Sequence, residues 1–523
     1  MKITYRSLRM LSLAFATTAL WSCQDEVEAP SVSETLGSVD VTTYISVGNS
    51  LTSGYADKGL YEESQKNSFP MMLANEFKAF GGGEFMQPTV KGSGSGYLKL
   101  ELKDGNPTPV PVNADPSFAQ KVSGKVHNFG IPGIRVIDVA QPTYKAANPY
   151  FARIDEADGT TYLQWVSKQE ATFFTCWLGG NDVLGYATSG GAKGVDGEPN
   201  TYVDGLSPVS AFQAAYDGVI TTLLAKNSGK AKGVIATIPD VTKIPFFTTV
   251  APQLKAMLAD ENVVKQITMD EQTVGFANFV YTLAGFKLPE AGLFKVGVNY
   301  PVVVSGNMMV AKQEVKALDL DADYPLLTFS AVQNDILINK VGYVNMANVS
   351  AEEQQKLQGL AVQVGTLKAQ ATALAQQGKL VEAKAKQDEI VAIMGDSDNM
   401  ALAKKVAIPL GSQYVLDATE AASVIARTKE LNTIIEGVAN SNDRIGLLDA
   451  NALLDKVNNG LVENGVSVNG TFVKGGAFSL DGVHMTPRGY AVVANGFIDA
   501  TNKAFGSRLG NVNIAKYNPV LLP

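Results

Sequence analysis

Two rhythms of apolar and polar positions alternate along this chain. Short apolar runs end at glycine or proline, and amphipathic stretches spaced by three and four residues lie between them. The first run, Tyr44-Ile45-Ser46-Val47, stops at Gly48-Asn49-Ser50-Leu51. It predicts a buried strand ending in a tight turn that holds the Ser50 hydroxyl at its tip. Residues 125–129 predict a second strand opening into Gly130-Ile131-Pro132-Gly133. Residues 171–178 are apolar on both faces, the pattern of a central parallel strand, and run into Gly179-Gly180-Asn181-Asp182. Residues 233–238 and 445–448 complete a set of five strands. Helices are expected after the N-cap Ser68, at 207–225, at 418–438, and from the N-cap Thr486 with Pro487 in first position to about residue 505. His127 falls in the second predicted strand and reads as a packing residue. Cys176 falls in the third and reads as a buried core thiol.

Strands joined by helices predict an α/β protein, a three-layer α/β/α sandwich around a five-stranded parallel sheet. The pattern holds over residues 39–244 and 411–523. Between them, residues 245–410 read as a large insertion with aromatic-rich stretches and short strands near Val302 and Leu327. A helical hairpin is expected at about residues 351–394. Its first helix carries Leu357, Leu360, Val364, Leu367, Ala371 and Leu374 in alternating steps of three and four, and Gly378 breaks the run. Residues 81–120, rich in Gly and Pro, read as a long loop or small hairpin. Asp319, Asp321 and Asp323 lack the Gly and Glu that a calcium loop needs at Tyr324 and Ser330, so they read as a solvated acidic turn.

The N-terminus adds a location. Lys2, Arg6 and Arg9 precede an apolar run, residues 11–20, too short to span a membrane. Residues 1–22 therefore read as a secretory signal, and Leu20-Trp21-Ser22-Cys23 resembles the lipobox of bacterial lipoproteins, in which the Cys is lipidated. Residues 23–38 read as a flexible tether, acidic at its start. Removing residues 1–22 takes away three positive charges, so the formal net charge goes from −8 to −11. That excludes nucleic acid as the main partner. The expected location is the cell envelope, anchored by lipid on the outer membrane, with the choice between its periplasmic and external faces left open. With Cys23 acylated, only Cys176 remains, so the fold stands without an intrachain disulfide.

The polar candidates share one edge of the predicted sheet. In parallel α/β sheets ligands bind beyond the carboxyl ends of the strands. Ser50, Gly133 and Asn181 follow the first three strands, and Asp481 and His484 follow the fifth. A serine hydroxyl needs a base within hydrogen-bond reach to act as a nucleophile. Of the two histidines, His484 lies on this edge, with Asp481 three residues earlier to orient it. The backbone N–H groups of Ser50 and Gly133 and the side-chain amide of Asn181 are the candidate oxyanion donors. Two distant histidines do not make a metallohydrolase ligand set, and no metal or organic cofactor is called for.

The ordered blocks GNSL, NFGIPG, GGND and DGVH resemble the four sequence blocks of the SGNH hydrolases, the GDSL-type esterases and lipases. The resemblance implies a flavodoxin-like α/β/α fold, Ser50 as nucleophile, Asp481 and His484 as the acid/base pair, and Gly133 and Asn181 as oxyanion donors. It covers about residues 41–238 and 417–505 and leaves the insertion outside. Asn49 stands where the family name has Asp. The chain lacks the Gly-x-Ser-x-Gly elbow of the α/β-hydrolases. A serine esterase acting through an acyl-enzyme is the expected activity. Two substrates compete: a short acyl group on a glycan, favoured by the envelope location, or a longer acyl lipid, for which the aromatic insertion would form a groove. From another class, a surface binding protein that retains the fold without catalysis is the alternative. Oligomeric state is left open.

Overall fold

The computed structural model describes residues 34–103, 105–191, 205–305, 314–327 and 341–520. The signal segment, Cys23 and most of the tether lie outside the described residues. Five strands form one parallel sheet: β1 (Tyr44–Gly48), β2 (Asn128–Gly130), β3 (Phe173–Trp177), β4 (Lys232–Ala236) and β5 (Ile445–Leu448). Their order across the sheet is β5-β4-β3-β1-β2. This is a doubly wound arrangement whose order reverses between β1 and β3, the place where such sheets bind ligands.

Central β1 and β3 are fully buried along their length, and this accounts for their lack of polar alternation. The edge strand β2 is shorter than the apolar run suggests and begins after His127 rather than containing it. The reason is local: the His127 amide turns to the carbonyl of Met86, leaving only its carbonyl to accept the Ser46 N–H of β1. His127 Nδ1 in turn accepts the Met86 N–H at 2.9 Å, a structural role. Cys176 is buried in the core, and burial pushes its thiol up to about 12.

Helices cover both faces. The connections include α1 (Ser50–Ser53), α2 (Phe69–Phe77), α3 (Asn181–Thr188) and α4 (Val209–Leu224). Ser68 caps α2 by accepting the Met71 N–H. The insertion contributes the helical hairpin α5 (Ala351–Gln376) and α6 (Leu380–Gly395). The C-terminal part adds α7 (Ala418–Asn440), α8 (Ala450–Asn458) and α9 (Pro487–Phe505). Helices α9 and α2 pack together on one face of the sheet, and α7 and α4 on the other. Along α9 nearly every residue on its inner side is buried, from Tyr490 to Phe505.

The insertion builds a second apolar cluster, from Val250 through Tyr281 and Val302 to Leu410. Short strands occur at Val302–Ser305 and Tyr324–Pro325, and Tyr97–Lys103 pairs antiparallel with Asn106–Val112. In the α5 seam Leu357, Val364, Leu367 and Ala371 are buried against the neighbouring helices, while Leu360 and Leu374 are partly covered. The acidic turn departs from the expected solvated one. Asp323 is buried, accepts from the Asp319 amide and is paired with Lys316 Nζ at 2.8 Å, because it braces the insertion against the start of α7.

Candidate active site

Each polar candidate is placed by a chain reversal at the carboxyl edge of the sheet. Ser50 opens α1 directly after β1. The Asn49 side chain caps this turn by accepting the Leu51 N–H at 3.1 Å, so Asn supplies the acceptor the turn needs without a charge. Gly48 admits no side chain, since a Cβ there would lie 2.0 Å from Thr52 Oγ1. The turn is therefore tight, and Ser50 is held at its tip.

His484 and Asp481 come from the loop ahead of α9, whose start is fixed by the Thr486 hydroxyl accepting the Gly489 N–H. His484 Nε2 lies 2.8 Å from Ser50 Oγ, and His484 Nδ1 lies 2.8 Å from Asp481 Oδ2. Asp481 Oδ1 accepts the N–H groups of Val483 and His484. Its Oδ2 also accepts the Lys58 N–H at 2.8 Å. Burial alone would raise this carboxyl, but the charge and hydrogen bond of His484 and the two backbone donors together hold it well below the usual carboxylate range.

Sequence reasoning missed the turn that supports this loop. In residues 56–59, Asp57 and Lys58 adopt positive φ of 53° and 64°. Asp57 Oδ1 accepts the Leu480 N–H, and the Asp57 N–H donates to Ser479 Oγ, so two short loops far apart in sequence hold each other. Burial raises the Asp57 carboxyl despite its bonds to Leu480 and Tyr61. The Tyr55 ring lies 4.5 Å from the His484 ring, limiting its movement. The Asp-Lys-Gly stretch at 57–59 is the turn signal that marks this segment; its partner is not legible from it.

On the oxyanion side, Asn181 is the first residue of α3. One hydrogen of its Nδ2 is donated to the Ile134 carbonyl at 2.9 Å, which leaves the second for a ligand. The next residue, Asp182, accepts the Val136 N–H at 2.8 Å. Asn181 and Asp182 thus hold the turn after β2 on either side of Arg135. Burial raises the Asp182 carboxyl to about 7 against the pull of Ser207 and the Val136 N–H. Gly133, at φ +84°, lies on the same turn. Its amide and that of Ser50 meet no hydrogen-bond partner among the described residues.

Ser50, Asn181 and His484 line one cavity. Gly133 does not line it, and is linked to it through the bond between Ile134 and Asn181. Among the described residues no cluster of three or more His, Cys, Asp or Glu is placed to hold a metal ion. The geometry places a hydroxyl against an oriented imidazole and beside amide donors, the arrangement that activates a serine as a nucleophile. No family model matches the chain, and no curated protein and no solved structure matches it, so the site's own geometry carries the functional reading.

Proposed function

We propose that this chain is a serine ester hydrolase that cleaves carboxylic esters through an acyl-enzyme. The observation that carries the reading is the continuous chain Asp481–His484–Ser50, with both imidazole contacts at 2.8 Å. Ser50 Oγ forms a bond to the substrate carbonyl carbon while its proton passes to His484 Nε2. Asp481 keeps Nδ1 protonated and stabilises the imidazolium. The oxyanion receives the Asn181 amide and the Ser50 N–H, with the Gly133 N–H from the adjoining turn. As the ester C–O bond breaks, His484 returns the proton to the leaving alcohol. Water then repeats the sequence and releases the carboxylic acid. The resemblance of the four sequence blocks to those of the SGNH hydrolases supports the same assignment.

The chain is proposed to act in the cell envelope, attached to the outer membrane through a lipid on Cys23; residues 20–23 support this. Metabolic labelling with a clickable fatty acid tests it, since Cys23→Ala then loses the label. The hydrolase reading is tested by p-nitrophenyl ester turnover beside fluorophosphonate labelling. Both activities are expected in the wild type and absent in Ser50→Ala. A wild-type protein that turns over no ester and leaves the probe unreacted would refute the reading.

A further inference from the structure

We propose that the cavity beside Ser50 receives a medium-length alkyl acyl chain, so that the substrate is an aliphatic acyl ester rather than an acetylated glycan. This rests on the hydrolase reading above and names the substrate of the same site. The cavity encloses about 80 Å³. That is several times the roughly 10–15 Å³ one water occupies. Its polar side chains are Asn49, Ser50, Asn181 and His484, all belonging to the catalytic edge. Beyond them the walls are aliphatic and aromatic, with Leu454, Val457, Phe478, Val492 and Val493 all buried. The part of the cavity beyond the catalytic edge has no polar side chains, and such a space stays dry and favours an apolar guest. A glycan there would bury hydroxyls with nothing to bond, which is costly.

The shape agrees with an extended chain. Ala450 and Val457 both line the cavity from α8. Seven residues of helix correspond to about 10 Å. The cavity is built by the carboxyl edge of the sheet, α8, α9 and the loop before α9, and no described residue of 245–410 lines it. The acyl rather than the alcohol part belongs here for a chemical reason. After acylation the alcohol departs and water must enter by the position it vacated, to be activated by His484. An apolar cavity is a poor route for that water, whereas the covalently held acyl group stays in place through both half-reactions.

The test uses the full chain and p-nitrophenyl esters from acetyl through butyryl, hexanoyl and octanoyl to palmitoyl. Burying each methylene raises kcat/KM by about fourfold up to the length the cavity holds. Val493→Phe and Leu454→Phe, each checked for folding by circular dichroism, narrow the cavity and lower the octanoyl-to-acetyl ratio. A Ser50-dependent activity that is flat from acetyl to octanoyl overturns the proposal and leaves the hydrolase standing. So does a ratio unmoved in both folded variants, or a length preference that follows the alkyl alcohol in a series of acetate esters. Absence of any Ser50-dependent turnover, with no fluorophosphonate labelling, overturns the hydrolase reading and this proposal with it.

Discussion

His484 Nε2 stands 2.8 Å from Ser50 Oγ although 434 positions separate the two residues in the chain. The contact joins the first strand of the sheet to the loop before the last helix, so the site exists only once the sheet is complete. The imidazole has no freedom to leave, because Asp481 holds its other nitrogen and the Tyr55 ring lies against it.

Residues that act as one unit lose their effect together. Ser50→Ala and His484→Ala are each expected to lower kcat on the order of 10⁶-fold, and the double variant no further. Steady-state kinetics on p-nitrophenyl butyrate measures this. A double variant much slower than either single one would show that the two act independently.

Asp481→Asn keeps the size of the side chain but removes the charge that selects the imidazole tautomer. A fall in kcat of about 10⁴-fold is expected. The native carboxyl titrates below its unfolded value, so its stabilising contribution is present above the unfolded carboxylate pKa and disappears as pH falls through the native one. The stability difference between wild type and Asp481→Asn in urea should therefore shrink below about pH 4.

Asn181→Ala removes one oxyanion donor and should lower kcat by about 100- to 1,000-fold while changing KM little. It also frees the Ile134 carbonyl, so some mobility of the turn around Gly133 accompanies the loss. Asn181→Asp, isosteric but with no donor for either the oxyanion or the Ile134 carbonyl, loses both contacts and should be at least as slow as Asn181→Ala.

Asp182 is raised to about 7 and fully buried, so the folded protein holds a proton there that the unfolded chain releases near pH 4. Stability falls as pH rises between those values and levels off above pH 7, by an amount on the order of a few kcal/mol. Asp182→Asn retains an acceptor for the Val136 N–H and should flatten this part of the profile. Thermal unfolding of both proteins from pH 5 to pH 8 tests it, and parallel profiles would rule out Asp182 as the source.

Gly482 ties the insertion to the catalytic loop. Its carbonyl accepts the Phe246 N–H at 2.9 Å, and its φ is +71°. A Cβ there would lie 2.7 Å from Leu327 Cδ2 and 3.0 Å from the Phe246 amide nitrogen. Gly482→Ala should cost about 1–3 kcal/mol through strain. It should also displace His484, lowering kcat more than thermal stability alone explains. Activity measured well below the melting temperature distinguishes the two contributions.

Much of this architecture is local information. The all-apolar run around Cys176 announces a central strand because both of its faces are buried, and Ser68, Thr486 and Pro487 mark helix starts through their own hydrogen-bonding habits. The position of Ser50 and Asn181 on one sheet edge follows from strand direction, since each lies just after a strand of the same parallel sheet, whereas His484 is carried there by the loop ahead of α9, well past the end of β5. What required the tertiary structure were the relations between segments with no common period. The Asp57–Lys58 turn supporting Asp481, the clamp of Asn181 and Asp182 on the turn after β2, and the packing of Asp323 against the start of α7 are pairings across tens to hundreds of residues. The apolar cavity is of the same kind, because its walls come from the segments after β1, β3 and β4, from α8 and α9, and from the loop that carries His484. Hydrophobic periodicity records which face of an element is buried. It carries no record of which other element buries it, and that is settled only when the chain packs.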